Sequence, residues 1–259
     1  MPVIIKAAPE TIFNGLMDRA LQGFRTHGLS DFDRKRIEKE CASLAAVDSS
    51  GAHEIRACLA AQAGRFDEAQ EEFERALKAS DNRLGTAVRH LIILTAAGHT
   101  KGVLEIARNY RHLIRNDPNA IRTVSHMLSG CGWVGFADEI RSEAARLGSD
   151  LRPAFGPILQ ELKKSDLSET DVVAVVDYVN SQLAAHKAFA DKVTASSVAM
   201  EDGSFALLFD FALARDPEEV ADLEWELLSG IPEDGLPAYL SRQVQFGLSS
   251  SVVGDADKL

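Results

Sequence analysis

The residues with the most obvious chemical spelling are Gly130-Cys131-Gly132-Trp133-Val134-Gly135, a Gly-x-Gly-x-x-Gly string with Asp150 downstream. In a dinucleotide-binding turn the glycines let the backbone approach a pyrophosphate, and an acid about twenty residues on holds a ribose hydroxyl. That chemistry needs a strand before the string and a helix after it. Here the preceding residues read as a helix, so the string is read as a helix–helix turn. The remaining candidates are thinner. The seven histidines (27, 53, 90, 99, 112, 126 and 186) lack the paired spacing of a zinc site and read as helix surface. No Gly-x-Ser-x-Gly elbow and no phosphate loop occurs. Cys58 is a lone thiol of the kind that serves as a nucleophile, but a free cysteine usually packs as a small buried hydrophobe. Asp210, on the small-residue side of an alternating run, reads as an outward, solvated acid. No catalytic residue, metal site or cofactor is therefore assigned, and no enzymatic activity is expected.

What positions Gly132 is a repeat. Gly64, Gly98 and Gly132 are 34 residues apart, and Asp48, Asn82, Asn116 and Asp150 keep the same interval, as do Ala69, Val103 and Ala137. A period of that length with glycine at a helix–helix corner marks stacked helix pairs. The clearest copy is 51–84. Residues 53–63 lack Pro and Gly and favour helix, and Gly64 supplies the left-handed stop. Residues 68–79 form the second helix, with Ala69, Phe73, Ala76 and Leu77 on one face. Gly98 and Gly132 are expected to be corners with positive φ.

The wording Ala63-Gly64-Arg65-Phe66-Asp67-Glu68-Ala69, followed by Phe73, Ala76 and Leu77, resembles the tetratricopeptide repeat. Gly98, Val103, Ala107, Tyr110 and Asp117-Pro118 form a weaker second copy, and Gly132, Phe136-Ala137 and Ala144 a third. The family's Trp, Leu-Gly and Tyr of the first helix are missing. The resemblance implies a mainly α fold, a tetratricopeptide-like α-solenoid of antiparallel helix pairs over 1–190, with clear repeats at 51–150. It also implies a peptide groove lined by first helices. By register its positions are Glu54, Cys58 and Gln62, then Val88, Ile92 and Thr95, then Arg122, His126 and Ser129, with Phe24 and His27 continuing it. Family members that clamp an acidic C-terminal tail carry basic and Asn residues there. Glu54, Cys58, Val88 and Ile92 argue against that partner. An alternative is that some of these positions pack against a long helix over 168–190 folded back into the groove.

The flanking segments extend the picture. Residues 9–27 and 30–47 read as a degenerate first pair or cap, with Ile12, Phe13, Leu16, Ala20 and Phe24 along one face. The run Arg34-Lys35-Arg36 is balanced by neighbouring acids and reads as a solvated face. Residues 154–164 and 168–190 read as helices, the second opened by the capping box Ser168-Glu169-Thr170-Asp171 and apolar on more than one side. After residue 191 the period changes to two. Residues 193–200 and 205–213 read as strands joined at Asp202-Gly203, then a helix from Asp216-Pro217 to about Ser229. That helix places Val220, Leu223, Leu227 and Leu228 inward. A third strand covers 243–248. Residues 191–248 are thus a small α+β (ββαβ) domain, and 249–259 a loosely held tail.

Charge separates the two parts. The chain carries a net −11, of which 191–259 holds 14 acids against 4 bases and 1–190 only −1. An acidic end of this kind disfavours nucleic acid and suits a basic protein surface, with Glu218, Asp222 and Glu226 as its contact face. Nothing approaches eighteen consecutive apolar residues, so no membrane span is expected, and three cysteines that cannot all pair suggest a reducing, cytoplasmic setting. The functional expectation is a bacterial-type adaptor that binds a protein segment, with homo-oligomers possible. The alternatives are a dedicated chaperone or neutralising partner of one protein, and an enzyme or small-ligand sensor with an interdomain site.

Overall fold

The repeat corners fall at the glycines. In a computed structural model, which describes residues 9–25, 28–148, 151, 153–164, 167–230 and 243–251, Gly64, Gly98 and Gly132 hold φ of +70°, +67° and +89°. Each follows a helix, where a left-handed residue closes the last turn and glycine is least strained. The helix starts repeat as well. Asp48 accepts the Gly51 N–H at 2.8 Å, Asn82 that of Gly85 at 2.9 Å, and Asp117 that of Ala120 at 2.8 Å. The third cap is one residue later than the period implies. Pro118 follows it in the first turn, where its missing N–H is no loss. Asn116 instead reaches back to the His112 carbonyl.

Among the described residues the chain is mainly helical, with helices packed in neighbouring pairs and a small three-stranded mixed sheet near the C-terminus. It divides into two compact units, Met1–Ala97 and Gly98–Leu259. The first contains α1 (Pro9–Arg25), α2 (Asp31–Leu44), α3 (Ser49–Gln62), α4 (Phe66–Ala79) and α5 (Arg83–Ala96). Helix α3 is its centre. Ala52, Ala57, Ala60 and Ala61 are all buried, because short side chains let α1, α2, α4 and α5 approach from several sides. Larger residues fill the gaps between them: Leu16 and Phe24 from α1, Ile37 and Leu44 from α2, Phe73 from α4. The His90 ring stacks on Phe73 at 3.5 Å between centroids.

The second unit runs α6 (Thr100–Asn109), α7 (Arg111–Ile114), α8 (Pro118–Gly130) and α9 (Val134–Ala144), then α10 (Gly156–Lys164) and α11 (Glu169–Ala185). The second helix expected through Tyr110 breaks there into α6 and α7. Buried Asp138 of α9 accepts the Ala154 and Phe155 N–H groups at 2.8 and 2.9 Å and so fixes the approach to α10. Strand β1 (Ala190–Ala199) then pairs antiparallel with β2 (Phe205–Leu213). Helix α12 (Pro217–Gly230) crosses over to β3 (Val244–Ser250), which runs parallel to β2, with Phe209 opposite Phe246. The β-β-α-β order is as expected, whereas β3 extends into residues assigned to the tail. Residues 1–8 and 252–259 lie outside the described residues.

The core of this unit does not divide at residue 190. Val172, Val175, Val176, Val179 and Leu183 of α11 share one buried cluster with Leu207, Phe209, Phe211 and Leu213 of β2 and Val220, Leu223 and Leu227 of α12. The other side of α11 meets the helix corners. A Cβ built on Gly132 would stand 3.0 Å from Val173 Cα, and one on Gly98 would stand 3.5 Å from Asn180 Cβ. Asp177 accepts the Thr100 hydroxyl at 2.8 Å, and the Thr100 carbonyl accepts Trp133 Nε1–H at 2.9 Å. The helix, expected to be apolar on more than one side, is thus buried on two sides, one apolar and the other mainly polar, with Val173 among Asp177 and Asn180. It ends at Lys187, which holds φ +51° while Arg215 donates to the His186 and Lys187 carbonyls. No helix among the described residues is long and apolar enough to cross a membrane.

Two corner substitutions separate backbone strain from crowding. Gly98→Ala adds a methyl at ordinary contact distance, so its loss is the left-handed strain of about 1 kcal/mol. Gly132→Ala adds collision with the α11 backbone and is expected to lose a further ~1–3 kcal/mol. Urea denaturation of both variants measures this, and equal losses would refute the close approach of α11. Lys187→Gly, which relieves the same strain, is expected to raise stability by about 0.5–1 kcal/mol.

Candidate functional site

The structure sorts the groove positions into packed and accessible ones. In the first unit Phe24 is buried, and His27 lies outside the described residues. Glu54 is buried, with its carboxylate receiving the Thr86 hydroxyl at 3.1 Å and the Arg89 guanidinium through Nε and, at 2.8 Å, Nη2. Arg89 in turn lies 5.5 Å from the Phe13 ring centroid, so side chains of α1 and α5 meet over α3. Cys58 is fully buried, and Gln62 donates to the Ala20 carbonyl of α1. Those three positions hold α3 against its neighbours. What remains open lies on α5. Val88 and Thr95 are half-buried and Ile92 is 38% exposed, at i, i+4 and i+7 on one side of the helix.

In the second unit the corresponding helix is α8. Arg122 and His126 are exposed, whereas Ser129 is buried and donates to the His126 carbonyl at 2.9 Å. The element that packs close to the end of α8 is β1: a Cβ on Gly130 would stand 2.9 Å from the Val193 carbonyl oxygen. Helix α11, the expected candidate for covering these positions, instead runs across the corners at Gly98 and Gly132.

The glycine string is a corner, not a nucleotide loop. It follows α8, and the start of α9 is already matched with an acid, since Gly135 N–H donates to the Glu169 carboxylate. A helix N-terminus attracts an anion through its free N–H groups and dipole, and Glu169 fills that role from within the chain. Burial pushes the Glu169 carboxyl above the usual carboxylate range, against the pull of the N–H groups of Gly135 and Phe136. The thiols are equally unsuited to nucleophilic work. Burial pushes Cys58 up to about 12 and raises Cys41 as well, and Cys131 is buried.

The acidic positions have a different character. Glu218, Asp222 and Glu226 are all exposed on α12, four residues apart and therefore in one row. Glu226 lies 3.4 Å from His186 Nδ1. Glu224 turns the other way and accepts the Leu248 N–H of β3 at 2.9 Å. Beside the acidic row stand two residues that the sequence reading missed. Trp225 is 74% exposed, and Leu228, expected to face inward, is 45% exposed. The signal was available: with Val220, Leu223 and Leu227 inward, a step of about 100° per residue puts Trp225 at the opposite apex. Comparison with family models, curated proteins and solved structures finds no match.

Two measurements check these assignments. All three thiols are expected to resist a thiol reagent at pH 8 in the native protein and to react on unfolding; rapid native labelling of Cys58 would contradict its burial. For Glu169, a folded-state pKa raised above the unfolded one gives a contribution that is complete below the unfolded value and lost as pH rises through the folded one. Relative to Glu169→Gln, the wild type should therefore lose stability when the pH is raised from well below the ordinary glutamate value to neutral. Glu169→Ala, which removes the cap of α9, should lose about 1 kcal/mol at either pH. A wild type and Gln variant with parallel pH profiles would refute this.

Proposed function

We propose that this chain is a tetratricopeptide-like helical-repeat protein that binds a segment of another protein, with the acidic face of α12 as a second contact surface. The observation that carries the reading is the recurrence of left-handed glycine corners at 34-residue spacing, the geometry from which repeat scaffolds build recognition surfaces. Carboxylates buried or partly buried among these helices are occupied in holding them, among them Glu54 by Arg89, Asp138 by the loop before α10 and Glu169 by α9. In the first unit the stripe Val88, Ile92 and Thr95 on α5 offers an apolar contact, and in the second unit Arg122 and His126 on α8 offer a polar one. A second reading, a dedicated partner that neutralises one basic protein, is favoured by the acidic balance of residues 191–259.

Affinity capture with the full chain, read by mass spectrometry, tests both readings. Replacing Ile92 and Arg122 together by Ser should lower recovery of the captured protein about tenfold while the far-ultraviolet circular dichroism stays helical. Undiminished recovery would end the assignment of these two stripes. A single dominant basic protein would favour the neutralising partner over the general adaptor. Glu218→Gln, Asp222→Asn and Glu226→Gln together should slow association several-fold at low salt and little at high salt. An association rate indifferent to salt and to these substitutions would remove the acidic surface from the proposal.

A further inference from the structure

Resting on the reading of α12 as an acidic contact surface, we infer the class of partner it takes: a basic amphipathic helix, anchored by Trp225 and Leu228. A scattered exposed apolar residue needs no explanation. Trp225 differs because of where it stands. Ala221, Trp225 and Leu228 are all exposed and form one row down α12, and Glu218, Asp222 and Glu226 form the row beside it. An apolar row flanked by a row of acids is complementary to a helix with an apolar row flanked by Lys or Arg. The helix carries no Lys or Arg of its own to neutralise these acids. His186 Nδ1 lies 3.4 Å from Glu226, which makes Glu218 and Asp222 the stronger attractors of the row.

The face is also held still. Val220, Leu223 and Leu227 are buried in the core, Glu224 accepts the Leu248 N–H, and the Leu227 carbonyl receives the Tyr178 hydroxyl. A rigid surface loses little conformational freedom on binding. An indole at the centre of such a surface is among the commonest binding hot spots, and a Lys or Arg laid over it gains a cation–π contact. Charge also selects among occupants. A second copy docking through the same face would set one acidic row against another, as a two-fold interface requires, and a phosphate backbone would be repelled.

The two tryptophans make the test optical, because Trp133 is 7% exposed and Trp225 74%. The probe is a short helical peptide of Leu and Lys with its leucines in one row, titrated into the full chain. A second peptide with Ser in place of Leu controls for charge alone. Binding of the Leu/Lys peptide should shift Trp225 emission to the blue and shield it from acrylamide. Affinity should fall about tenfold in Trp225→Ala, recover in Trp225→Phe, and weaken with salt. The Ser/Lys peptide should bind more weakly and give no shift. Salt-sensitive binding that is undiminished in Trp225→Ala would overturn the anchor while leaving the acidic surface standing. Binding that ignores salt and the Glu218→Gln, Asp222→Asn, Glu226→Gln variant would overturn both, as would no binding by about 1 mM peptide.

Discussion

The second unit depends on one helix being buried from two directions. Glu169, Val173, Asp177 and Asn180, spaced so that they share a side of α11, meet the start of α9, the Gly132 corner, Thr100 and the Gly98 corner in turn. Val172, Val175, Val176, Val179 and Leu183 on the other side close the core over the sheet. Only glycine lets the backbones at 132 and 173 come so near, and only short polar side chains reach the corner groups without prising the helices apart. The apolar side contributes the larger share of the free energy, since each fully buried valine or leucine is worth about 1.5–3 kcal/mol. The polar side fixes the register: a slip of one residue would leave Asp177 and Glu169 buried without their donors.

The carboxylates divide into two populations with different work. Glu54, Glu72, Asp138 and Glu169 are buried or partly buried, and each answers a specific donor: Arg89 and Thr86, His53 and Arg75, the Ala154 and Phe155 amides, the Gly135 amide. Losing one of those donors would strand a desolvated charge. Glu218 and Asp222 stand in solvent and hold no helix to another. Their energetic effect on the isolated chain is mild repulsion, and their attraction is available to something outside it.

Much of this was legible in the sequence because it is local. A glycine that closes a helix, an Asx residue that opens one, a Ser-x-x-Asp capping box and an alternating strand all act within a few residues of themselves. The corners, the caps at Asp48 and Asn82 and the β-β-α-β order follow from such signals. The one-residue shift from Asn116 to Asp117 was not legible, because either residue caps well and Pro118 decides between them. Nor was the partner of α11: a run of valines says that two sides are buried but not against what. Among the groove positions, Glu54 and Cys58 looked alike in register to Ile92. What separates them is the meeting of Phe13 and Arg89 across α3, a contact between residues far apart in the chain.

The same two-sided helix sets an order on biosynthesis. In unit Met1–Ala97 the central helix α3 packs on α1 and α2 before it and on α4 and α5 after it, so its contacts can form as the unit leaves the ribosome. In the other unit the Gly132 corner and the apolar Val134 beside it are made on the order of seconds before the helix that covers them, at about 5–20 residues per second. Strand β3 joins last, and because it runs parallel to β2 it can add only after α12 has crossed over. Until then Phe209 and Phe211 lie under an unfinished sheet. Unit Met1–Ala97 can therefore mature before the larger unit that follows it, and that later unit is where holding chaperones would find their substrate.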